Sequence, residues 1–284
     1  MENTTFTLPT RDGLSLFGYI WLPEVAPKAI VQIQHGLAEH AGRYERFARA
    51  LTSEGYAVYA ADARGSGKSA AGEYGDFGPD GWSGWVDDVF RLTTFIKQSH
   101  PGLPLIIFGH SMGSFATQQF LLDHSELADA VILSGTTDAA GIVSALTSGG
   151  EADLAAFNAP FEHRTGFEWL SRDPAEVDAY VADPANGWSA PPPKGIEHLA
   201  VASEVERVQA IKKTLPILVI SGDHDPVAGP QALGPQAVAA RYQHVGLNDV
   251  ELKLYPEARH EILNEINRDE VTADIIDFIS RHNL

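Results

Sequence analysis

A serine hydroxyl becomes a useful nucleophile when a base takes its proton, and the base works best when a carboxylate holds its second nitrogen. The 284-residue chain offers such a set on three separate stretches. The first is Gly109-His110-Ser111-Met112-Gly113, preceded by the apolar run Pro104–Phe108 and followed by a helix-like segment from Met112 to His124. This pattern predicts a strand, a tight turn and a helix with Ser111 at the apex, the G-x-S-x-G nucleophile elbow. Gly109 and Gly113 lack a Cβ, so strand and helix can approach closely there. The second stretch is Ile217–Ser221 running into Gly222-Asp223-His224-Asp225-Pro226-Val227. The third is Glu251–Tyr255 running into Pro256-Glu257-Ala258-Arg259-His260-Glu261. Ser111, Asp225 and His260 are thereby expected at the carboxyl ends of parallel strands, where open α/β sheets place their sites.

Two rivals share these loops. Asp223 competes with Asp225 as the acid, and His224 adjoins both but reads as a turn residue. His110, next to the serine, is expected to face the interior. The remaining histidines show no metal-ligand spacing, so no metal site is expected. A tetrahedral intermediate also needs donors for its oxyanion. The N–H of Met112, just after the serine, is one expected donor. The loop after the strand 29–34, His35-Gly36-Leu37-Ala38-Glu39-His40, should supply the other, assigned to Leu37, with Gly36 letting the backbone come close to substrate.

The elements that must hold these groups follow from the hydrophobic pattern. Residues 4–8 and 14–22 read as a hairpin around Arg11-Asp12-Gly13. Residues 29–34, 56–61, 104–108, 130–134, 216–221 and 251–255 read as further strands. Helical spacing spans 43–54, 82–99, 112–124, 235–245 and 265–281. Strands alternating with helices imply a mainly parallel sheet covered on both faces, an α/β fold. From 138 to 212 no convincing buried strand occurs. That stretch reads as an inserted helical subdomain or lid, or else as helices packed into the main core. The expected division is therefore a core formed by 1–137 and 213–284, with an insertion at 138–212.

Composition bounds the rest. The formal charge of −18 argues against nucleic acid and anionic membrane surfaces as partners. There are no cysteines, which excludes disulfides and thiolate metal sites. No apolar run approaches the ~20 residues of a membrane-spanning helix, and residues 1–5 lack the marks of a signal peptide, so a cytoplasmic protein is expected. Arg64-Gly65-Ser66-Gly67-Lys68-Ser69 lacks the G-x-x-x-x-G-K-[ST] spacing of a phosphate loop and is expected to brace the site.

Several stretches together resemble one group of α/β-hydrolases, the monoacylglycerol lipases and lysophospholipases, with serine aminopeptidase-like enzymes as close neighbours. They are His35-Gly36-Leu37-Ala38-Glu39-His40-Ala41-Gly42-Arg43-Tyr44, Asp62-x-Arg64-Gly65-x-Gly67-x-Ser69, the elbow, Gly222-x-x-Asp225 and His260. Asn158-x-Pro160-Phe161, Trp169-Leu170-Ser171-Arg172-Asp173 and Tyr180-x-x-Asp183-Pro184 resemble the insertion of bacterial members. The chain order Ser, Asp, His agrees with that fold, and the Gly-x-x-Asp turn of relatives favours Asp225 over Asp223. The resemblance implies an α/β-hydrolase fold with a helical cap over Ser111 and an apolar tunnel for an acyl chain. Leu146, Leu154 and Phe157, then Phe161, Phe167 and Trp169, are candidates to line that tunnel, with core packing of the cap as the alternative. It also implies a cofactor-independent serine esterase for small, lipid-like esters: monoacylglycerols, lysophospholipids or short-to-medium acyl esters. A peptidase, amidase, C–C hydrolase or acyltransferase on the same fold, and a non-catalytic ligand-binding member, are the alternatives. Oligomeric state is not legible.

Overall fold

The computed structural model describes residues 1–147 and 154–284, so 148–153 of the expected insertion lie outside the described residues. The hairpin β1 (Glu2–Pro9) and β2 (Ser15–Leu22) pairs antiparallel. β2 also runs antiparallel to β4 (Tyr56–Ala61). From there the sheet is parallel through β3 (Ala29–Gln34), β5 (Leu105–His110), β6 (Ala130–Ser134), β7 (Ile217–Gly222) and β8 (Val250–Tyr255). The eight-stranded order is β1-β2-β4-β3-β5-β6-β7-β8.

Every residue of β3, β4, β5, β6 and β7 is buried, which requires cover on both faces. Phe47, Ala48 and Leu51 of α1 (Glu45–Ser53) close one face together with Val271, Ile275, Phe278 and Ile279 of α8 (Arg268–Arg281). The spacing of each set puts it on a single helical stripe. The other face is closed by α2 (Gly81–Ser99), α3 (Met112–His124) and α7 (Leu233–His244), through Trp82, Trp85, Val89, Phe115, Phe120 and Val238. No helix among the described residues is long and apolar enough to cross a membrane.

Between β6 and β7 the described residues form only helices and 3₁₀ turns. They include α4 (Ala139–Thr147), α5 (Pro174–Ala182) and α6 (Val205–Val208). Asp173 caps α5 by accepting the Ala175 N–H at 3.0 Å, with Pro174 as its first residue. The later part packs on core helices. Ile196, Leu199 and Ala202 enter the apolar cluster of α2 and α3, and the Trp82 N–H donates to the Lys194 carbonyl at 2.9 Å. The earlier part lies over the carboxyl ends of the strands. There the His260 and Glu261 N–H groups donate to the Trp169 and Leu170 carbonyls at 3.2 and 2.8 Å.

The loop after β4 is a brace. Asp62 accepts the Ala41 and Lys68 N–H groups, both at 2.8 Å. The buried Arg64 guanidinium bonds Asp12, Asp88 and the Phe77 carbonyl.

Candidate active site

Ser111 stands between β5 and α3 with φ 50° and ψ −121°, a strained conformation for a residue with a side chain. The crowding around it accounts for both flanking glycines. A Cβ on Gly113 would come within 2.3 Å of the Gln34 carbonyl oxygen, and one on Gly109 within 2.8 Å of the Gly113 carbonyl oxygen. The Ser111 N–H donates to the Ser134 carbonyl at 2.9 Å, and the Ser114 hydroxyl to the Ser111 carbonyl at 2.6 Å. These bonds hold the apex in place.

The base loop meets the acid loop at Gly222, where a Cβ would lie 2.0 Å from the Ala258 carbonyl oxygen. His260 Nδ1 lies 2.9 Å from Asp225 Oδ2, and Asp225 Oδ1 accepts the Val227 N–H at 2.8 Å. Facing a carboxylate, Nδ1 carries the proton, which leaves Nε2 as the basic nitrogen. Burial disfavours the charged imidazole, but the Asp225 carboxylate, with Glu261 and Glu39 behind it, outweighs burial and raises the His260 pKa. Asp223 faces elsewhere: its Oδ1 binds the exposed His224 ring and the Glu257 N–H, both at 2.6 Å. Of the two candidate acids, Asp225 is therefore the one on the imidazole.

Ser111 and His260 border the same cavity. Their side chains do not hydrogen-bond to each other here; the imidazole's bond is the one to Asp225. Such catalytic bonds commonly tighten only once substrate is seated. Among the described residues the Leu37 and Met112 N–H groups have no acceptor, and both residues border a cavity with Ser111. Gly36 lies so near that a Cβ there would be 3.1 Å from that of Ser111.

The loop bearing Gly36 and Leu37 is fixed by a buried ionic cluster that the sequence spacing does not single out. Glu39 accepts the Gly36 N–H at 2.6 Å, the Tyr44 hydroxyl at 2.9 Å and Arg43 at 2.8 Å. Arg43 also forks onto Glu261 at 2.6 and 2.8 Å. The residue beside His260 is thereby tied to the loop expected to supply an oxyanion donor. Burial works against ionising Glu39, but Arg43 above all, with the Gly36 N–H helping, holds its pKa down to about 2. Glu261 is likewise depressed, burial being overcome by Arg43. His110 faces this cluster, its ring 4.8 Å from that of His260. Burial, and then the His260 neighbour, lowers its pKa to about 4, so it is neutral. The i,i+4 spacing of Glu39 and Arg43 was a usable signal; the pairing with Glu261, 218 positions on, was not.

Two cavities meet at Ser111. One, about 290 Å³, is lined by Glu39, His110, Tyr180, His260 and Glu261. The other, about 340 Å³, is lined by Phe115, Ile142, Leu146, Phe157 and Val227. Leu37, Ser111, Leu154 and Trp169 border both. A third space behind His110 shares Glu39, His110 and Glu261 with the first. Of the expected tunnel residues, Leu146, Leu154, Phe157 and Trp169 line the apolar cavity, and Gly36 lines the polar one. Phe161 and Phe167 border neither of these two cavities. Phe161 lies under the Arg259 guanidinium at 4.6 Å, and Phe167 packs on the Tyr180 ring at 5.2 Å. Phe161 thus sits against the base loop, and Phe167 packs within the insertion, where short helical fragments need aromatic packing of their own.

Comparison with known proteins agrees with this geometry. The model of the family described as serine aminopeptidase, S33, matches residues 25–267. The monoacylglycerol lipase of Mycolicibacterium smegmatis is 32% identical over 95% of this chain and 94% of its own. The monoglyceride lipase of Homo sapiens is 30% identical over 94% of this chain and 86% of its own. A thermostable carboxyl esterase from Bacillus coagulans, solved with glycerol, superposes with a TM-score of 0.86 at 30% identity, covering the whole of both chains. With its sheet order, elbow and insertion, the chain belongs to the serine aminopeptidase, S33, family of α/β-hydrolases, among relatives that include the monoacylglycerol lipases.

Proposed function

We propose that this protein hydrolyses carboxylic esters that join an apolar acyl group to a small polar alcohol, monoacylglycerols foremost, with lysophospholipids and other short-to-medium acyl esters in the same class. One observation carries the reading: Ser111 lies where a polar and an apolar cavity meet. The names of the relatives support it. The apolar lining of the second cavity suits a hydrocarbon chain. Residues 138–212 act as a cap whose earlier part, with Leu146, Leu154, Phe157 and Trp169, bounds that chain. A peptide's amino terminus would need a free carboxylate, but both acids of the polar cavity are committed to Arg43.

Ser111 Oγ attacks the ester carbonyl carbon while His260 Nε2 takes its proton. Asp225 orients the imidazole and stabilises its charged form. The Leu37 and Met112 N–H groups receive the oxyanion. As the tetrahedral intermediate collapses, the C–O bond to the alcohol breaks and His260 returns the proton to the leaving oxygen. Water then attacks the acyl-enzyme with His260 as base, and the carboxylic acid departs as Ser111 regains its proton.

A serine-directed fluorophosphonate, followed by an acyl-ester panel, tests this. The folded wild type is expected to form one adduct, at Ser111, that Ser111→Ala lacks. The same variant should lose about 10⁴–10⁶ in kcat on the best ester. Absence of a Ser111-dependent adduct in folded protein overturns the mechanism. A labelled enzyme inactive on every ester overturns the substrate class alone.

A further inference from the structure

Trp169 lies on the turn Glu168–Leu170, which is strapped to the base loop. The His260 N–H donates to its carbonyl at 3.2 Å, and the Arg259 guanidinium to the Glu168 carbonyl at 2.6 Å. From the other side Asn158 Oδ1 accepts the Trp169 N–H at 2.9 Å. The indole packs 4.9 Å from the His260 imidazole and 5.2 Å from the Phe157 ring, centre to centre, and is 3% exposed. The ring is therefore held in one place.

Among the described residues six buried side-chain polar atoms have no hydrogen-bond partner. Trp169 Nε1 is the one that belongs to a residue bordering the cavities at Ser111. A buried indole N–H without an acceptor is costly, and such an orphan asks for a reason. Apart from the Ser111 hydroxyl and His260 Nε2, which are assigned to the reaction, the neighbouring polar groups are already engaged. Glu39 and Glu261 hold Arg43, and the Tyr180 hydroxyl donates to the Ala38 carbonyl at 2.8 Å and accepts the Gly187 N–H at 3.1 Å. The unspent donor is the indole.

The acceptor must then come with the substrate. An acyl chain brings only its carbonyl oxygen, and the Leu37 and Met112 N–H groups are assigned to that. What remains is an oxygen on the alcohol side, beside the imidazole that protonates the leaving group. We propose that Trp169 Nε1 donates to a free hydroxyl of the leaving alcohol, so that Trp169 selects polyol esters over esters of simple alcohols. This rests on the ester-hydrolase reading above.

Trp169→Phe keeps an aromatic ring against His260 and Phe157 but removes the donor. The quantity to read is a ratio: kcat/KM for a 1-monoacylglycerol over that for the propyl ester of the same acid, both below their aggregation limits. A trimmed ring affects both esters through the acyl cavity, so absolute rates are not compared. The ratio is expected to fall about five- to tenfold in Trp169→Phe, one neutral hydrogen bond's worth. An unchanged ratio overturns the inference. Should the variant fail to fold, as shown by lost fluorophosphonate labelling, the wild type alone decides. It should prefer the glyceryl ester over the propyl ester by about fivefold or more, and equal rates overturn the inference. Cleavage of neither ester by wild type overturns the ester reading and this inference with it.

Discussion

The two sides of Ser111 are built on different principles. On the polar side Glu39 and Glu261 are buried, Arg43 between them is half-buried, and all three are tied together by hydrogen bonds. Charges in that setting tolerate little displacement, because an unmatched one is expensive. On the apolar side Leu146, Leu154 and Phe157 of the segment between β6 and β7 meet Phe115 and Val227 of the core through non-directional contacts alone. The first arrangement fixes the Gly36–Leu37 loop relative to His260. The second fixes only a volume. Substitutions on the two sides should therefore fail differently.

The largest effect is expected at Arg43. Arg43→Met leaves two buried carboxylates without their counter-ion and should cost about 3–5 kcal/mol of stability. Adding Glu39→Gln and Glu261→Gln should restore part of it. Urea unfolding of the three proteins checks this, and a loss below about 1 kcal/mol for Arg43→Met would mean that the cluster is not a frame. On the other side, Leu146→Trp fills the apolar cavity. It should lower kcat/KM for long acyl chains about 10- to 200-fold relative to butyryl esters, with little change in unfolding. Rates that drop equally for all chain lengths would remove Leu146 from the acyl site.

The same contrast explains what could be read from the sequence. Ser111, Asp225 and His260 could be singled out because each lies on a loop that follows a strand, and strand order then brings the three loops to one edge. Asp225 was favoured over Asp223 by the resemblance alone, since position in the chain does not separate them. Both follow the same strand, and only the turn geometry puts one carboxylate on His260 and the other on His224 and the Glu257 N–H. The Glu39–Arg43–Glu261 cluster was hidden because its third member is remote in sequence. Phe161 and Phe167 could not be assigned by composition, because an aromatic residue in a short helical fragment serves packing and substrate equally well. The orphaned indole of Trp169 is invisible to spacing altogether, since it is defined by the acceptors it lacks.

The smallest expected effects are those of pH, and they separate the two histidines of the polar side. His260 must be neutral to accept the Ser111 proton. Asp225 overcomes burial and raises its pKa above the ordinary 6.5, so the acid limb of kcat/KM should have its midpoint above 6.5. Below that midpoint the rate should drop about tenfold per pH unit. His110, held neutral down to about 4, should add no second proton to this limb. Their signs in stability are opposite. The raised pKa of His260 contributes stability that is complete below 6.5 and lost as pH rises through its folded value. The lowered pKa of His110 contributes stability that is complete above 6.5 and lost as pH falls towards 4. Glu39 acts in the same sense lower down, between 4.5 and about 2. His110→Gln should therefore flatten the decline of Tm between pH 6.5 and 4 while leaving the midpoint of the kcat/KM limb above 6.5. A limb that steepens to two protons in wild type and returns to one in His110→Gln would show that His110 titrates with the base, and the polar side would then be a coupled pair of histidines rather than one base beside a neutral ring.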